Sequence, residues 1–479
     1  MKPIERQTKL IATIGPATES ESNIRQLIEQ RVDVMRLNMA HAQHDWIREI
    51  TKRIRKIGEE LGHEPGILMD VKGPEIRTGY LAKEIEIKRG DVIDLLFIPQ
   101  PDPPQENGVW KIEVNYDKLN EHLNNGDRVL LDNGLIPLLV VESNNEFVRC
   151  RVLEDACLKS RRHVNLPGIE TDLPSLTEKD RCDSLVGIEC EHDFFALSFT
   201  RDADAIDLFK SFLKDNGSNA HVIAKIEDQQ GVQNLEEIIS ASDGLMIARG
   251  DLGIECAFEE LPIIQRKTVG LCLSKGEPVI VATHLLESMI ESPVPTRAEI
   301  SDVANAVNEG ADCLMLSGET TTGKYPLESV KLLTRISSRI EKDLPPVLSE
   351  SLRLFRPKAK MLRSAAMLAM RMNNAAVLVF TRSGDLAAKL GALRPNGAHL
   401  FAFTDVPGLH RRLRMVWGIE PFWMEFSDDP EITIQNAIQK LHVEGWVEQG
   451  DQIVTVTNVL ADGKVIESIQ LREVEPIES

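Results

Sequence analysis

The sequence predicts an α/β protein: a (β/α)8 TIM barrel with an all-β lid domain inserted after strand three, then a C-terminal α/β domain. Three observations predict it. Short β-branched apolar runs alternate with helix-like stretches, the alternation stops between Gly73 and His163, and the composition changes again near Pro346. Runs too apolar to face water on one side, with helices between them, belong to a parallel sheet covered on both faces.

The runs are "KLIATIG", "VDVMRLNMA", "GILMDVKG", "FFALSFT", "HVIAKIE", "GLMIARG", "PVIVATH" and "DCLMLSG". Eight βα units are the number that closes a barrel, and barrel chemistry sits at the C-terminal strand ends. Between the runs, "SESNIRQLIEQ" opens with Ser and Glu in N-cap order. "DWIREITKRIRKIGEELG" carries apolar residues at helical spacing and stops at a glycine. "NLEEIIS", "RAEISDVANAVNEG" and "LESVKLLTRISSRIEKDL" follow the same pattern. A doubly wound open sheet is the alternative, but no glycine-rich phosphate loop follows the first strand.

From Gly73 to His163 there is no convincing helix. Segments such as "EIEIKRGDVIDLLF" and "NNGDRVLLDNGLIPLLVVESNNEFVRCRVL" read as strands and turns, an insertion of about ninety residues. At a barrel's active end it can serve as a lid that excludes water. After "EKDLPPVL", the stretches "AAVLVFTRSGDLAAKLGALRPN" and "GDQIVTVTNV" read as a small separate α/β domain. The expected domains are 1–72 with 164–345 (barrel), 73–163 (lid) and 346–479 (C-terminal, for an effector or for oligomerisation).

Composition narrows the partners. The net charge of −20 argues against nucleic acid or an anionic membrane surface. Seven scattered cysteines without a CxxC pair read as reduced packing residues, and the N-terminus has no apolar stretch of signal length. No segment approaches the roughly 20 apolar residues of a membrane span. A cytoplasmic protein is expected.

Polar residues collect at the ends of the runs: Arg36 and Asn38, Asp70, Ser198 and Arg201, Lys225 and Glu227, Arg249 and Asp251, Thr283, Ser317 and Glu319. Lys225 and Glu227 share one strand face, with Ile226 on the other. Glu227 and Asp251 end adjacent strands, and two carboxylates completed by water and substrate oxygens suit Mg²⁺. A structural ion-pair network explains the same residues without a metal. "ARGDLG" reads as a strand running into a turn whose Gly250 and Asp251 N–H groups can meet a carboxylate.

Taken together, "TKLIATIGPAT", "MRLNMAHA", "LMDVKGPEIRTG", "VNLPGIETDLPSLTEKD", "AKIEDQQGV", "GLMIARGDLG", "VATHLLESM", "PTRAEISDVANAV" and "MLSGETTTGKYP" closely resemble the pyruvate kinase family. The resemblance implies phosphoryl transfer from phosphoenolpyruvate to ADP, giving pyruvate and ATP in the last step of glycolysis. It implies Mg²⁺ (or Mn²⁺) on Glu227 and Asp251, with Lys225 stabilising the transferring phosphoryl group and the enolate oxygen. Arg36 would clamp phosphate, Gly250 and Asp251 would hold the substrate carboxylate, and Thr283 would stand in the proton-relay region. Pro16, Asn38 and His41 match nucleotide-side positions; Arg77 lies at the lid hinge, and Arg162 is a further candidate nucleotide contact. K⁺ is implied at Asn38, Asp70 and the Val71 carbonyl, and a homotetramer as the assembly.

Several positions depart from the family pattern. Ala40 and Ala42 stand where serine and glycine are usual, and Val71 replaces threonine, so the K⁺ site is expected to be weakened but retained with Glu75. His284 replaces a glutamine, Arg162 and His163 replace lysine and glycine, and Val294 replaces an arginine. In "FTRSGDLAAK", Thr381, Ser383 and Gly384 resemble a sugar-phosphate effector loop, although Asp385 adds negative charge and Leu386 lacks a hydroxyl. That loop also reads as a plain strand-to-helix turn. Two rivals to an active kinase are another barrel enzyme of phosphoenolpyruvate or pyruvate and a metabolite-binding paralogue without turnover.

Overall fold

The computed structural model describes residues 6–97, 105–106, 108–345, 348–355, 357–372, 375–461 and 464–476. Eight parallel strands close the barrel: Lys9–Thr13, Val34–Asn38, Gly66–Asp70, Phe194–Leu197, His221–Ile226, Leu245–Ala248, Val279–Ala282 and Cys313–Leu316. Each lies within one of the eight apolar runs. Nearly every strand residue is buried because inward side chains fill the barrel and outward ones meet the helices.

The interior layer contains Ile11, Val34, Leu68, Phe194, Ile223, Met246, Ile280 and Met315, and Met415 of the C-terminal domain joins it. The end of the barrel away from the strand C-termini is therefore plugged. Gly66 lets Phe194 enter that layer, since a Cβ at Gly66 would meet the Phe194 ring at 2.8 Å. Burying a large apolar side chain of this kind contributes about 1.5–3 kcal/mol.

Local signals set the helix ends. Ser20 caps the helix Glu21–Glu29 by accepting from the Asn23 N–H, and Gly62 ends His44–Leu61 at φ 65°. The inserted domain is a seven-stranded sheet plus a two-stranded one around its own core, which includes Ile93, Leu95, Val129, Leu138 and Val148. One short helix, Leu119–His122, interrupts it where the sequence predicts none. A single turn is too short to show helical periodicity.

The C-terminal domain has five strands in the order Ile419–Trp423, His399–Thr404, Ala376–Phe380, Gln452–Ala461, Lys464–Glu473. The last is an antiparallel edge strand. The expected boundary at 346 lies outside the described residues.

Candidate active site

Register brings the polar strand ends together. Asn38 is level with Asp70, and Asp70 is level with Ala196, two residues before Ser198. Lys225 Nζ lies 2.9 Å from Glu227 Oε1 and 3.1 Å from Asp70 Oδ1, and it donates to Ser198 Oγ at 2.7 Å. Arg36 Nε donates to Asp70 Oδ2 at 2.7 Å, and Arg36 Nη1 to Thr13 Oγ1 at 3.1 Å. Lys225 is 8% exposed, Glu227 2% and Asp70 1%, so each charge depends on its partners rather than on water.

Burial disfavours the Lys225 ammonium, but Asp70 and Glu227 outweigh it and hold its pKa above the usual lysine value. Burial also pushes the Glu227 carboxyl up to about 7; Lys225 opposes this, while Asp251 and Asp70 add to it. Three carboxylates here share the cations Lys225 and Arg36. The surplus of negative charge suits an added cation.

Glu227 is oriented by the Phe199 N–H, which donates to Oε2 at 2.6 Å. Asp251 sits in the first turn of the helix Arg249–Glu255 and lines a cleft of about 910 Å³. His284 and the lid residues Asn133 and Leu135 also line it. Among the described residues no group of three or more His, Cys, Asp or Glu is arranged to hold a metal. Asp251 adds to the raised pKa of Glu227, so the two carboxylates act on each other, and two carboxylates completed by water and phosphate oxygens are a donor set of the kind Mg²⁺ takes.

"ARGDLG" passes directly from strand to helix rather than into an open turn. The Gly250 N–H donates to Thr283 Oγ1 at 2.8 Å, and that hydroxyl donates to the Ala282 carbonyl at 2.6 Å. Thr283 and His284 have φ of 66° and 55°, a costly backbone for a β-branched residue. Arg249 secures the bend: Nη2 donates to the Thr283 carbonyl at 2.6 Å while Nη1 pairs with Asp302 at 2.8 Å.

On the expected nucleotide side, Pro16 and His41 are exposed, and Asn38 Oδ1 accepts from the Ala40 N–H at 3.1 Å. Arg77 Nε contacts Glu75 at 2.7 Å and Nη1 donates to the Arg161 carbonyl at 2.8 Å, linking the two hinge segments. Lys72 lies 3.0 Å from the same Glu75 carboxylate, so that charge has two cations beside it. Arg162 is tied into the lid, 3.4 Å from Asp132.

At the expected K⁺ position, Arg36 and Lys225 occupy Asp70, and the Val71 carbonyl accepts from Ser198 at 2.7 Å. Ala40 brings no hydroxyl. In the C-terminal loop, Thr381 Oγ1 accepts from the Gly384 N–H at 2.9 Å, and Ser383 Oγ accepts from the Asp385 N–H at 3.3 Å. Those hydroxyls are used to start a helix. A cavity of about 350 Å³ beside them is lined by Thr381, Arg382, Phe426 and Ser427.

The residue whose role sequence reading missed is Ser198. It bridges Lys225 to the Val71 carbonyl. Its position at a strand end was visible; its partners were not.

Fold and site together define a lidded barrel enzyme with a buried lysine–carboxylate centre at the C-terminal strand ends. Residues 5–330 match the family model for the pyruvate kinase barrel domain, and 359–465 match that for the pyruvate kinase alpha/beta domain. The chain is 38% identical over 486 residues to Plastidial pyruvate kinase 2 of Arabidopsis thaliana, covering 98% of this chain and 82% of that one. It is 39% identical over 462 residues to a pyruvate kinase of Sporosarcina psychrophila, covering 95% and 78%. The crystal structure of a pyruvate kinase from Cryptosporidium parvum aligns with TM-score 0.90 at 32% identity, over 97% and 96% of the two chains. This chain belongs to the pyruvate kinase family, whose general function is the glycolytic reaction.

Proposed function

We propose that the chain transfers the phosphoryl group of phosphoenolpyruvate to ADP, yielding pyruvate and ATP. The observation that carries this reading is the Lys225 ammonium buried against Glu227 and Asp70 at the barrel's catalytic end. Such transfer needs in-line positioning and neutralised charge more than covalent help. Mg²⁺ or Mn²⁺ held by Glu227 and Asp251 would supply positive charge between the donor and acceptor phosphates.

As the bond from phosphorus to the enol oxygen breaks, negative charge grows on that oxygen, and Lys225 is the ammonium placed to meet it. Its raised pKa keeps the proton on Nζ. Arg36, fixed by Asp70, adds a phosphate clamp. A substrate carboxylate accepting from the Gly250 and Asp251 N–H groups would displace the Thr283 hydroxyl from Gly250. That hydroxyl is then free to relay the proton delivered to the methylene carbon.

Pro16, Asn38 and His41 form the nucleotide side, with Arg77 at the hinge reaching the phosphates as the lid closes and Arg162 a further nucleotide contact. Asn38, Asp70 and the Val71 carbonyl would hold K⁺ in competition with Arg36, Lys225 and Ser198, at a site weakened by Ala40. A sugar phosphate at Thr381, Ser383 and Gly384 must compete with the helix start for those hydroxyls; unchanged substrate half-saturation across added sugar phosphates would end that part. A homotetramer is the assembly the family resemblance implies. The deciding experiment mixes phosphoenolpyruvate, ADP, Mg²⁺ and K⁺. Pyruvate and ATP must appear together, and appearance of neither sinks the reading.

A further inference from the structure

The helix Arg249–Glu255 carries Asp251 in its first turn and ends on Glu255, a carboxyl only 8% exposed. Facing it is Asn165, 3% exposed, on the short strand Val164–Asn165 by which the chain leaves the lid. That strand still pairs with the lid strand Arg128–Leu131. Asn165 Nδ2 donates to Glu255 Oε1 at 2.8 Å. The backbone carbonyl of Glu255 accepts from Gln229 Nε2 at 2.5 Å, two residues beyond Glu227. One residue therefore ties together the lid hinge, the segment after Glu227 and the helix bearing Asp251.

The pairing is half complete. Asn165 Oδ1 is buried and has no hydrogen-bond partner. An ionised carboxylate can only accept, so it can never satisfy that oxygen. A protonated carboxyl has an O–H to donate, and an amide offers one donor and one acceptor side by side. Leaving a buried acceptor unpaired costs about 1–3 kcal/mol, which favours the state that pairs both atoms.

The surroundings favour the same state. Burial, foremost, pushes the Glu255 carboxyl up to about 7; Asn165 opposes this, the charges of Asp228 and Asp251 add to it, and Arg201 opposes. Arg201 is itself drawn to Asp228 at 3.2 Å. Two cavities of about 50 Å³ flank the carboxyl, bringing His163 on one side and Glu170 on the other; Cys256 follows it in the chain.

We propose that Glu255 and Asn165 form a proton-dependent latch at the lid hinge, in which the protonated carboxyl and the amide exchange two hydrogen bonds. Loss of the proton removes one of the two and leaves the amide oxygen unpaired. The latch is closed on the acid side of neutrality and loosens on the alkaline side. Glu255 is a positioning residue: it sets how the lid sits over the helix of Asp251 without touching substrate. Its effect on turnover rests on the kinase reading; the latch itself does not.

Hydrogen exchange of the full-length protein tests it, following the 160–170 segment from about pH 6 to about pH 8.5 after correction for intrinsic exchange rates. In the unmodified chain, protection of this segment is expected to fall several-fold as pH rises through about 7. Glu255→Gln, which carries a permanent donor and acceptor, should keep high protection throughout. Its pH profile of KM for ADP should be flattened over the same range. Asn165→Leu should be weakly protected at every pH. Protection in the unmodified chain that does not change with pH overturns the latch without needing any variant, and so does an unaltered pH dependence in Glu255→Gln. Neither result bears on whether pyruvate and ATP are formed.

Discussion

The Lys225 ammonium and the Glu227 carboxylate face each other at 2.9 Å from positions two apart, one on the strand His221–Ile226 and the other just past its end. Strand alternation, rather than a search by flexible side chains, sets that pairing. Ser198, just past the adjacent strand, and Asp70, at the end of the strand beyond that, also hold the ammonium. On the proposed reading the lysine is positioned before substrate arrives, which leaves little reorganisation for the reaction.

Lys225→Met keeps the length of the side chain and removes its charge. Turnover should fall by at least ~10²–10³-fold, the usual scale for losing one preorganised electrostatic contact. The KM for phosphoenolpyruvate should change far less. Initial rates of pyruvate formation check this, with circular dichroism to verify folding, since stranding Glu227 and Asp70 costs about 3–5 kcal/mol. A variant with full rate refutes the role given to the lysine.

Thr283 is expected to act through its hydroxyl. Thr283→Ala should lower kcat by ~10²-fold or more, as loss of a proton-transfer group does, and Thr283→Ser should recover most of it. Exchange of the pyruvate methyl protons with solvent isolates the step. If alanine exchanges protons as fast as threonine, the relay is elsewhere, and the hydroxyl serves only to hold the Gly250 N–H.

The barrel was legible because its strands are buried on both faces, so that Val279–Ala282 or Cys313–Leu316 stands out as an apolar run without alternation. The strand-end chemistry was legible for Lys225 and Glu227, whose relation is local. What the chain does not display is pairing across distance. Gly250 finds Thr283 33 residues on, and Asn165 finds Glu255 90 residues on. Each contact depends on barrel closure or lid return, and no local pattern encodes it. The helix Leu119–His122 escaped for the opposite reason, being too short to carry a period.

Potassium should help, but weakly. Asn38, Asp70 and the Val71 carbonyl meet at neighbouring strand ends, yet residue 40 contributes no hydroxyl, and two cations already flank Glu75. Rate measured against KCl, with NaCl as control, should rise with a high half-saturation. Ala40→Ser should lower that half-saturation several-fold. Full activity without K⁺ in the unmodified chain removes the site.

The junction between barrel and C-terminal domain should be acid-labile. Glu64, on the barrel side, lies 3.8 Å from His410 and 3.4 Å from Arg411. Its carboxyl is lowered from 4.5 to about 2, by the His410 imidazole most of all, against partial burial and with help from Arg411 and Arg55. A carboxyl depressed on folding stabilises the folded state above its unfolded pKa, and that stability is lost as pH falls from about 4.5 towards 2. The side chain is 36% exposed, so solvent screening reduces the contribution to about 1–2 kcal/mol. Limited proteolysis across that range should show the junction opening, and Glu64→Gln should shrink the pH dependence without abolishing it. The remainder belongs to Asp193, which pairs with the same Arg411 at 2.8 Å and with Arg55 at 2.7 Å, and whose carboxyl is also held low: burial opposes this, but the two guanidinium groups outweigh it. An unchanged acid response in Glu64→Gln would mean that Asp193 alone anchors the junction.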